Sequence, residues 1–204
     1  MPRYSQEQRQ LILQETRSRL LAAAVQVFAR QGYENANINH ISETAGYAKG
    51  TVYNYFASKQ ELMLAVLDDV GQAHGEFIAG RVRAAAGPLQ RLEQFFVSGF
   101  DYVAGHPDEA RVLITTLYSA DLAFRQRLAQ IYLPMFELVA REIISAGQEQ
   151  GLFRDVNPMA TGSMLMTLYL GTCSQVDEQG RPYLDPLQVA DFARHAIQKT
   201  TGQQ

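Results

Sequence analysis

The stretch between residues 37 and 61, NINHISETAGYAKGTVYNYFASKQE, constrains the fold of this chain more than any other. Ile38 and Ile41 are three residues apart, the spacing that places side chains on one face of a helix. Asn37 is suited to cap that helix through its side-chain oxygen, and Gly46 is suited to end it, because glycine adopts left-handed φ at little steric cost. The pattern predicts a short helix followed by a sharp turn.

A second helical piece is predicted over residues 49–55, with Val52 directed toward the core and most other side chains directed outward. The outward residues are a cation, two hydroxyls and an amide: Lys49, Thr51, Tyr53 and Asn54. Ser58 and Glu61 then form a capping box, which predicts a long helix from Ser58 onward. A helix, a glycine-containing turn and a second helix are typical of the helix-turn-helix motif, whose second helix enters the major groove of DNA.

Over residues 16–62 the chain resembles the DNA-binding domain of the tetracycline-repressor (TetR) family of bacterial transcription regulators. The positions that carry the resemblance are Phe28, Gly32, Ile38, Ile41, Ala45, Gly46, Lys49, Gly50, Thr51, Tyr53, Tyr55, Phe56, Lys59 and Leu62. The chain departs from the family pattern at Asn37, which is often threonine, and at Ala48, which is often a serine that contacts phosphate. The resemblance implies a homodimer formed through the last two helices, and release from DNA when a small molecule binds the second domain.

The predicted DNA-binding residues are Asn37, Lys49, Gly50, Thr51, Tyr53, Asn54 and Lys59. Lys49, Tyr53 and Lys59 are phosphate anchors by resemblance, and such contacts set the register on DNA without reading its sequence. The chemistry of Thr51 suits a thymine methyl group, and that of Asn54 suits adenine. The predicted partner is double-stranded DNA with a palindromic operator, whose half-sites lie about 34–36 Å apart or a multiple of that distance.

Charge is distributed unevenly along the chain. Residues 1–60 carry seven Lys or Arg and four acidic residues, while residues 61–204 carry eleven and seventeen. A formal net charge of −3 excludes a protein that binds nucleic acid through its overall charge, but a basic end suits one that presents that end to phosphate. Apolar residues make up 47% of the 204 residues, which is enough for a substantial core.

Helical periodicity continues on both sides of the motif. A helix is predicted over residues 16–31, with a helix-compatible extension from residue 5. Further helices are predicted over residues 58–83, 89–104, 107–119, 121–147, 158–174 and 186–200. Pro134 is expected to kink the longest of them. The predicted fold is all-α, with a three-helix helix-turn-helix DNA-binding domain over residues 1–60 and a larger helical effector-binding and dimerisation domain over residues 61–204.

The second domain is rich in aromatic and methionine side chains, which suits an apolar cavity with a few orienting hydroxyls. The candidate pocket residues are Phe96, Phe100, Tyr118, Tyr132, Met135, Phe136, Met166 and Tyr169. The helix from Pro158 is apolar or small nearly all round, so we expect it to bury one side in its own core and another against a second copy of the chain. The candidate interface residues are Met164, Leu168, Gly171, Val189, Phe192, Ala193 and Ala196. The alternative is a central core helix in a monomer.

Other chemistries lack the residues that they need. The four histidines are scattered and no cysteine pairs with them, so neither a metal site nor a cofactor is predicted. The HPDEA run at residues 106–110 is better explained as a helix start, with proline in the first turn and two acids favoured by the helix dipole. Cys173, the only cysteine, excludes an internal disulfide, indicates a reducing compartment and is typical of a small core residue rather than a redox sensor.

The N-terminus lacks the apolar core of a signal peptide, so we expect a cytoplasmic protein. Residues 156–176 carry no charge, but their proline, asparagine, glutamine and hydroxyl side chains favour a buried helix over a membrane span. No nucleophile motif or glycine-rich phosphate loop points to an enzyme. We therefore expect a repressor that a small, mainly apolar ligand releases from its operator. The alternatives are an effector-independent or architectural DNA-binding protein and, as a third class, a helical enzyme.

Overall fold

The computed structural model describes residues 5–199. Its helices are α1 (Gln6–Asn35), α2 (Ile38–Thr44), a 3-10 helix (Thr51–Asn54), α3 (Lys59–Ala84), α4 (Pro88–Gly105), α5 (Pro107–Leu117), α6 (Leu122–Glu137), α7 (Ala146–Glu149), α8 (Pro158–Cys173) and α9 (Pro186–Ile197). A π-helical segment, Leu138–Ser145, joins α6 to α7. Residues 5–199 contain only two isolated β-bridges and no strand, so the predicted all-α fold is confirmed. The last residue of the helix predicted over 186–200 lies outside the described residues.

The first helix is longer than its buried part. Ser5 caps it by accepting a hydrogen bond from the backbone N–H of Gln8 at 3.2 Å, and burial begins only at Thr16. Its regular turns end where Gly32 adopts a φ of 74°, a left-handed conformation that favours glycine. The part predicted over residues 16–31 is therefore the part that packs against the rest of the protein.

Two clusters of buried apolar side chains form the interior. The first joins α1, α2 and the 3-10 helix to the N-terminal half of α3, through residues such as Leu62 and Val66. It also takes in Leu113 of α5 and Leu128 of α6, so its packing continues past residue 60. The second cluster lies around the C-terminal half of α3, α4, the π-helical segment, α8 and α9. Because α3 contributes to both clusters, a shift of this helix would change the packing of both.

The irregularity of the long helix lies beyond Pro134 rather than at it. Pro134 is inside α6, whereas the backbone departs from α-helical hydrogen bonding over the π-helical segment Leu138–Ser145 that follows. The hydroxyl of Ser145 donates to the carbonyl oxygen of Ala140 at 3.1 Å within this segment. The sequence locates a break caused by proline, but a π-helix depends on tertiary packing that the sequence pattern does not reveal. Among the described helices, none is both long enough and apolar enough to cross a bilayer.

Candidate nucleic-acid interface

The turn after α2 is built on two left-handed glycines. Gly46 has a φ of 80° and donates its backbone N–H to the carbonyl oxygen of Glu43 at 3.0 Å, while Tyr47 donates to Ser42 at 2.9 Å. These bonds use carbonyl groups that the end of a helix leaves unpaired. Gly50 has a φ of 81° and immediately precedes the 3-10 helix Thr51–Asn54. The chain therefore reverses sharply between α2 and the next helical turn, as predicted.

The second element of the motif is shorter than predicted. A helix was expected over residues 49–55, but the left-handed Gly50 prevents helical geometry from starting at Lys49. The backbone N–H of Tyr53 donates to the carbonyl oxygen of Gly50 at 3.0 Å, and that of Tyr55 donates to the carbonyl oxygen of Val52 at 2.9 Å. Bonds between residues three positions apart define a 3-10 turn. The recognition segment, defined here as residues 49–54, is thus one tight turn with its flanking residues.

Buried side chains hold the inner side of the recognition segment. Val52 and Phe56 are 1% and 3% exposed, and both belong to the first core cluster. The hydroxyl of Ser42, which is fully buried, accepts a hydrogen bond from the backbone N–H of Val52 at 3.3 Å. The sequence did not lead us to predict this role for Ser42. The feature that could have indicated it is a small polar residue on the otherwise apolar face of α2. Ser42 fixes the distance between the two elements of the motif.

The outer side of the recognition segment is polar and accessible. Tyr53 is 56% exposed, Lys49 and Asn54 are also exposed, and Thr51 and Gly50 are partly buried. The ammonium group of Lys49 lies 3.4 Å from a carboxylate oxygen of Glu43, with side-chain exposures of 74% and 50%. Ion pairs this exposed contribute little, so the lysine can exchange this partner for a phosphate. Asn37 lies at the start of α2, where its side-chain oxygen accepts from the N–H of Asn39 at 2.9 Å.

The structure corrects the role of Lys59. Its ammonium group donates to the carbonyl oxygens of Tyr33 at 2.8 Å, Glu34 at 2.9 Å and Ala36 at 3.4 Å, and it lies 4.6 Å from the centre of the Tyr33 ring. An ammonium group has three N–H donors, and these contacts engage all of them. Lys59 is therefore not a free phosphate anchor. It joins the start of α3 to the carbonyl groups at the end of α1, where a cation is favoured.

We predict that Lys59→Met lowers the free energy of unfolding by about 2 kcal/mol, because hydrogen bonds to a charged group are lost and carbonyl groups are left unpaired. Urea unfolding followed by circular dichroism measures the change. Lys49→Met is the matched control, since that lysine has one exposed ion pair, and it should change the free energy by no more than about 0.5 kcal/mol. Equal effects of the two substitutions would contradict the structural role of Lys59.

Comparison with known proteins identifies the chain. A family model described as bacterial regulatory proteins, tetR family, matches residues 20–66. The HTH-type transcriptional repressor NicS of Pseudomonas putida is 33% identical over 141 residues, which cover 69% of this chain and 66% of NicS. The chain belongs to the TetR family. This family consists of transcription regulators, which confirms that the protein is not an enzyme.

Solved structures share the fold of this TetR-family protein across most of its length. A transcriptional regulator from Saccharomonospora viridis in complex with choline superposes with a TM-score of 0.78 at 24% identity, covering 91% of this chain and 99% of that one. AibR in complex with isovaleryl coenzyme A and operator DNA superposes with a TM-score of 0.72 at 20% identity, covering 89% and 97%. At such identities the likeness shows the fold alone, a helix-turn-helix head followed by a larger helical domain.

Two of the cavities in the helical part of this TetR-family protein are lined by predicted pocket residues. The first, here called the groove, has a volume of about 590 Å³ and opens between α3 and α6; its lining includes Asp68, Gly71, Gly75, Arg127, Ile131 and Met135. The guanidinium of Arg127 crosses its rim and donates to both carboxylate oxygens of Asp68, at 2.6 and 2.9 Å. The second, here called the slot, holds only about 20 Å³ and is lined by residues that include His74, Tyr102, Leu113, Leu117, Tyr132 and Tyr169.

The predicted pocket residues are only partly brought together. Tyr132 and Tyr169 line the slot, and Met135 lines the groove. The others do not line either cavity: Phe96, Phe100, Phe136 and Met166 pack in the second core cluster, and Tyr118 is 74% exposed. Aromatic composition could not separate cavity from core, because both are built from the same residue types. His74 was not predicted to line a cavity. The feature that could have indicated it is a single histidine on the apolar side of a helix.

The predicted interface residues fall on two sides of α8 and α9. Met164 and Phe192 are 69% and 67% exposed, and Ala196 is exposed as well. Val189 and Ala193 are 7% and 1% exposed because they point into the second core cluster of their own chain. These two are therefore corrected to core residues. The remaining two, Leu168 and Gly171 on α8, are partly buried.

Proposed function

We propose that this protein is a transcriptional repressor that binds a palindromic operator as a homodimer and is released by a small, mainly apolar ligand. The observation that carries the proposal is the recognition segment, whose inner side is held by Val52 and whose outer side presents Lys49, Tyr53 and Asn54. A rigid inner side holds the backbone of the recognition segment in place, which lowers the cost of ordering the outer groups in a DNA groove. The complex of AibR with operator DNA supports the same use of this fold.

Within this proposal, the outer groups of the recognition segment have separate tasks. Lys49 and Tyr53 contact phosphates and set the register, while Thr51 and Asn54 face base edges. The protein acts in the cytoplasm, where chromosomal DNA of a bacterium is accessible to it. Two-fold symmetry of the dimer would place the two heads on half-sites about 34–36 Å apart, or a multiple of this distance.

The proposed dimer forms through the outward sides of α8 and α9. The large apolar side chains exposed there are Met159, Met164, Leu187 and Phe192, at 49%, 69%, 53% and 67%. Burial of these side chains against a second copy of the chain would remove their apolar surface from water. Pairing the same surface of two copies would bury these residues and produce the two-fold axis that a palindrome requires.

Ligand release is supported by the cavities between α3 and its neighbours. The slot has the largely apolar lining with a few polar groups that is usual for a small-molecule site, whereas the groove also carries charged side chains such as Glu76 and Arg83. The same α3 contributes Leu62 and Val66 to the core of the head, so a ligand that changes its position also moves the recognition segments. The ligand must bind the released conformation better than the DNA-bound one, with a coupling free energy of about 1 to 3 kcal/mol.

Selection of bound fragments from random duplex DNA tests the proposal. We expect an enriched inverted repeat, and an affinity for that repeat that falls steeply as salt rises, because phosphate contacts release counterions. Addition of a ligand that fits the cavities should then release the repeat. Failure of the purified, folded protein to enrich any sequence would contradict the proposal. An enriched repeat that no cavity-binding ligand releases would instead support an effector-independent regulator.

A further inference from the structure

A polar cluster is enclosed in the otherwise apolar slot. It consists of His74 on α3, Tyr132 on α6 and Tyr169 on α8, here called the imidazole–phenol cluster. One ring nitrogen of His74, Nδ1, lies 2.5 Å from the hydroxyl of Tyr132, and the other, Nε2, lies 2.8 Å from that of Tyr169. Gly99 makes room for the Tyr169 ring, since a β-carbon there would lie 2.1 Å from its Cε2 atom. Three helices and a glycine on a fourth thus build this cluster.

The ionisation state of His74 determines the direction of these hydrogen bonds. The side chain is 3% exposed, and this burial, with a smaller contribution from His106, lowers the pKa of His74 to about 4. The imidazole is therefore neutral near pH 7, with one N–H donor and one nitrogen lone pair. One phenol donates its proton to the lone pair. The other accepts the N–H and still has an O–H proton of its own to donate.

That remaining O–H lacks a strong acceptor. Over residues 5–199, neither tyrosine hydroxyl makes a second hydrogen bond to an oxygen or nitrogen atom. The surrounding wall is apolar and includes Val103, Leu113 and Leu117, and the Cys173 thiol beside Tyr169 is a weak acceptor. A buried donor without a good acceptor is unfavourable, so an oxygen atom placed in the slot would gain a hydrogen bond.

We propose that the slot binds the carbonyl oxygen of an uncharged apolar ligand, such as an ester, thioester or ketone, with the free phenolic O–H of the imidazole–phenol cluster as the donor. The proposal rests on the proposed function, because it names the group by which the effector is recognised. A carboxylate fits the slot poorly, since its described lining contains no Lys or Arg, and the guanidinium groups of Arg83 and Arg127 lie in the groove instead. Burial of an anion beside a neutral imidazole would lack a compensating charge.

The slot must open to take such a ligand. Its volume of about 20 Å³ holds about one water molecule, whereas the adjacent groove holds about 590 Å³. Neighbouring residues of α6 line the two cavities, Ile131 the groove and Tyr132 the slot. The π-helical segment that follows α6 is the kind of irregularity often found at functional sites. Widening of the slot toward the groove, with the hydrogen bonds of the imidazole–phenol cluster kept, would give one cavity of the size that small ligands occupy.

Opening the slot would also act on the DNA-binding head. Leu113 of α5 lines the slot and is a member of the first core cluster, which includes Leu20 and Phe28 of α1. A ligand that widens the slot therefore presses on a helix that packs against the head. Ligand binding at the carbonyl site could therefore change the positions of the recognition segments through this contact.

Equilibrium dialysis of the full chain against probes of matched length tests the site. The probes are methyl decanoate, 2-undecanone, undecane and decanoate. We expect the ester and the ketone to bind at least about 5-fold more tightly than the alkane, the change that one buried hydrogen bond produces, and decanoate to bind more weakly than the ester. The phenol left in either single variant can accept the His74 N–H and still donate its own O–H, so the test uses the double variant Tyr132→Phe/Tyr169→Phe. It should weaken ester binding by about 5-fold to 10-fold and leave alkane binding unchanged. Tyr183→Phe is the control, since Tyr183 is 70% exposed and does not line the slot.

Equal binding of ester and alkane, tighter binding of decanoate, ester binding unchanged in the double variant, or no binding of any probe would each overturn the carbonyl site. If the double variant does not fold, the ratio of ester to alkane affinity in the unsubstituted protein decides the question. Failure of the proposed function with the carbonyl site intact would give a different set of results. In that case the ester binds as expected, but no inverted repeat is selected from random DNA or the bound ester fails to release it.

Discussion

Lys49→Ala is expected to weaken binding to the selected inverted repeat by about 100-fold. A hydrogen bond to a charged group contributes about 1.5 kcal/mol, and two heads per dimer double the loss to about 3 kcal/mol. The plot of log affinity against log salt concentration should become less steep by about 2, because one phosphate contact is lost from each head. Fluorescence anisotropy with a labelled duplex at several salt concentrations measures both quantities.

The substitution should leave the protein folded. Lys49 is exposed and its one ion pair, with Glu43, is long and solvated, so the urea midpoint should not change. Lys199→Ala is a suitable control, since Lys199 is also exposed but follows α9, far along the chain from the recognition segment. An unchanged affinity and salt dependence for Lys49→Ala would remove the recognition segment from the proposed DNA contact.

The parts of the interface that were predictable from sequence are those determined by neighbours in the chain. Asn37 and Ser58 cap the helices that follow them, and Gly46 ends α2 with left-handed φ. Each of these features depends on hydrogen bonds between residues only a few positions apart. Local chemistry was therefore sufficient to find the helix-turn-helix and to bound α2 and the start of α3, but not the short 3-10 turn between them.

The parts that were not predictable depend on partners distant in sequence. The carbonyl groups that Lys59 holds are 23 to 26 positions earlier in the chain, and nothing near Lys59 reveals them. In the same way, Val189 and Phe192 look alike in an apolar pattern, but the packing of α9 buries the first and exposes the second. The resemblance to a family supplied a role for Lys59 that its actual contacts do not support.

The imidazole–phenol cluster shows the same limit over a longer distance. His74 is separated from Tyr132 by 58 positions and from Tyr169 by 95, so only the assembled helices bring the three together. Both tyrosines were predicted to line a pocket, because hydroxyls among apolar residues suit a ligand site. Their shared partner gives that general expectation a specific chemistry, since a buried neutral histidine leaves one of the two hydroxyls with an O–H to donate.

Burial of His74 should also make the protein less stable in mild acid. The pKa of His74 is lowered from an ordinary value of 6.5 to about 4, so between these two values the unfolded chain binds a proton that the folded chain does not. The free energy of unfolding is therefore complete above about pH 6.5 and falls as the pH drops toward about 4. The full shift corresponds to about 3 kcal/mol, and most of it should be lost between about pH 7 and about pH 4.5.

Urea unfolding across this pH range, in the unsubstituted protein and in His74→Gln, isolates the contribution of this residue. Glutamine keeps one donor group and one acceptor group for the two phenols but does not titrate, so the variant should be less stable near pH 7 and should lose less stability on acidification. His195→Gln is the matched control, since His195 is on the exposed side of α9, and it should retain the acid sensitivity of the unsubstituted protein.

A pH dependence of His74→Gln that matches the unsubstituted protein would mean that His74 is not held neutral in the slot. The hydrogen-bond directions inferred for the imidazole–phenol cluster would then also be wrong, because a charged imidazole donates to both phenols and would leave both with an O–H to place.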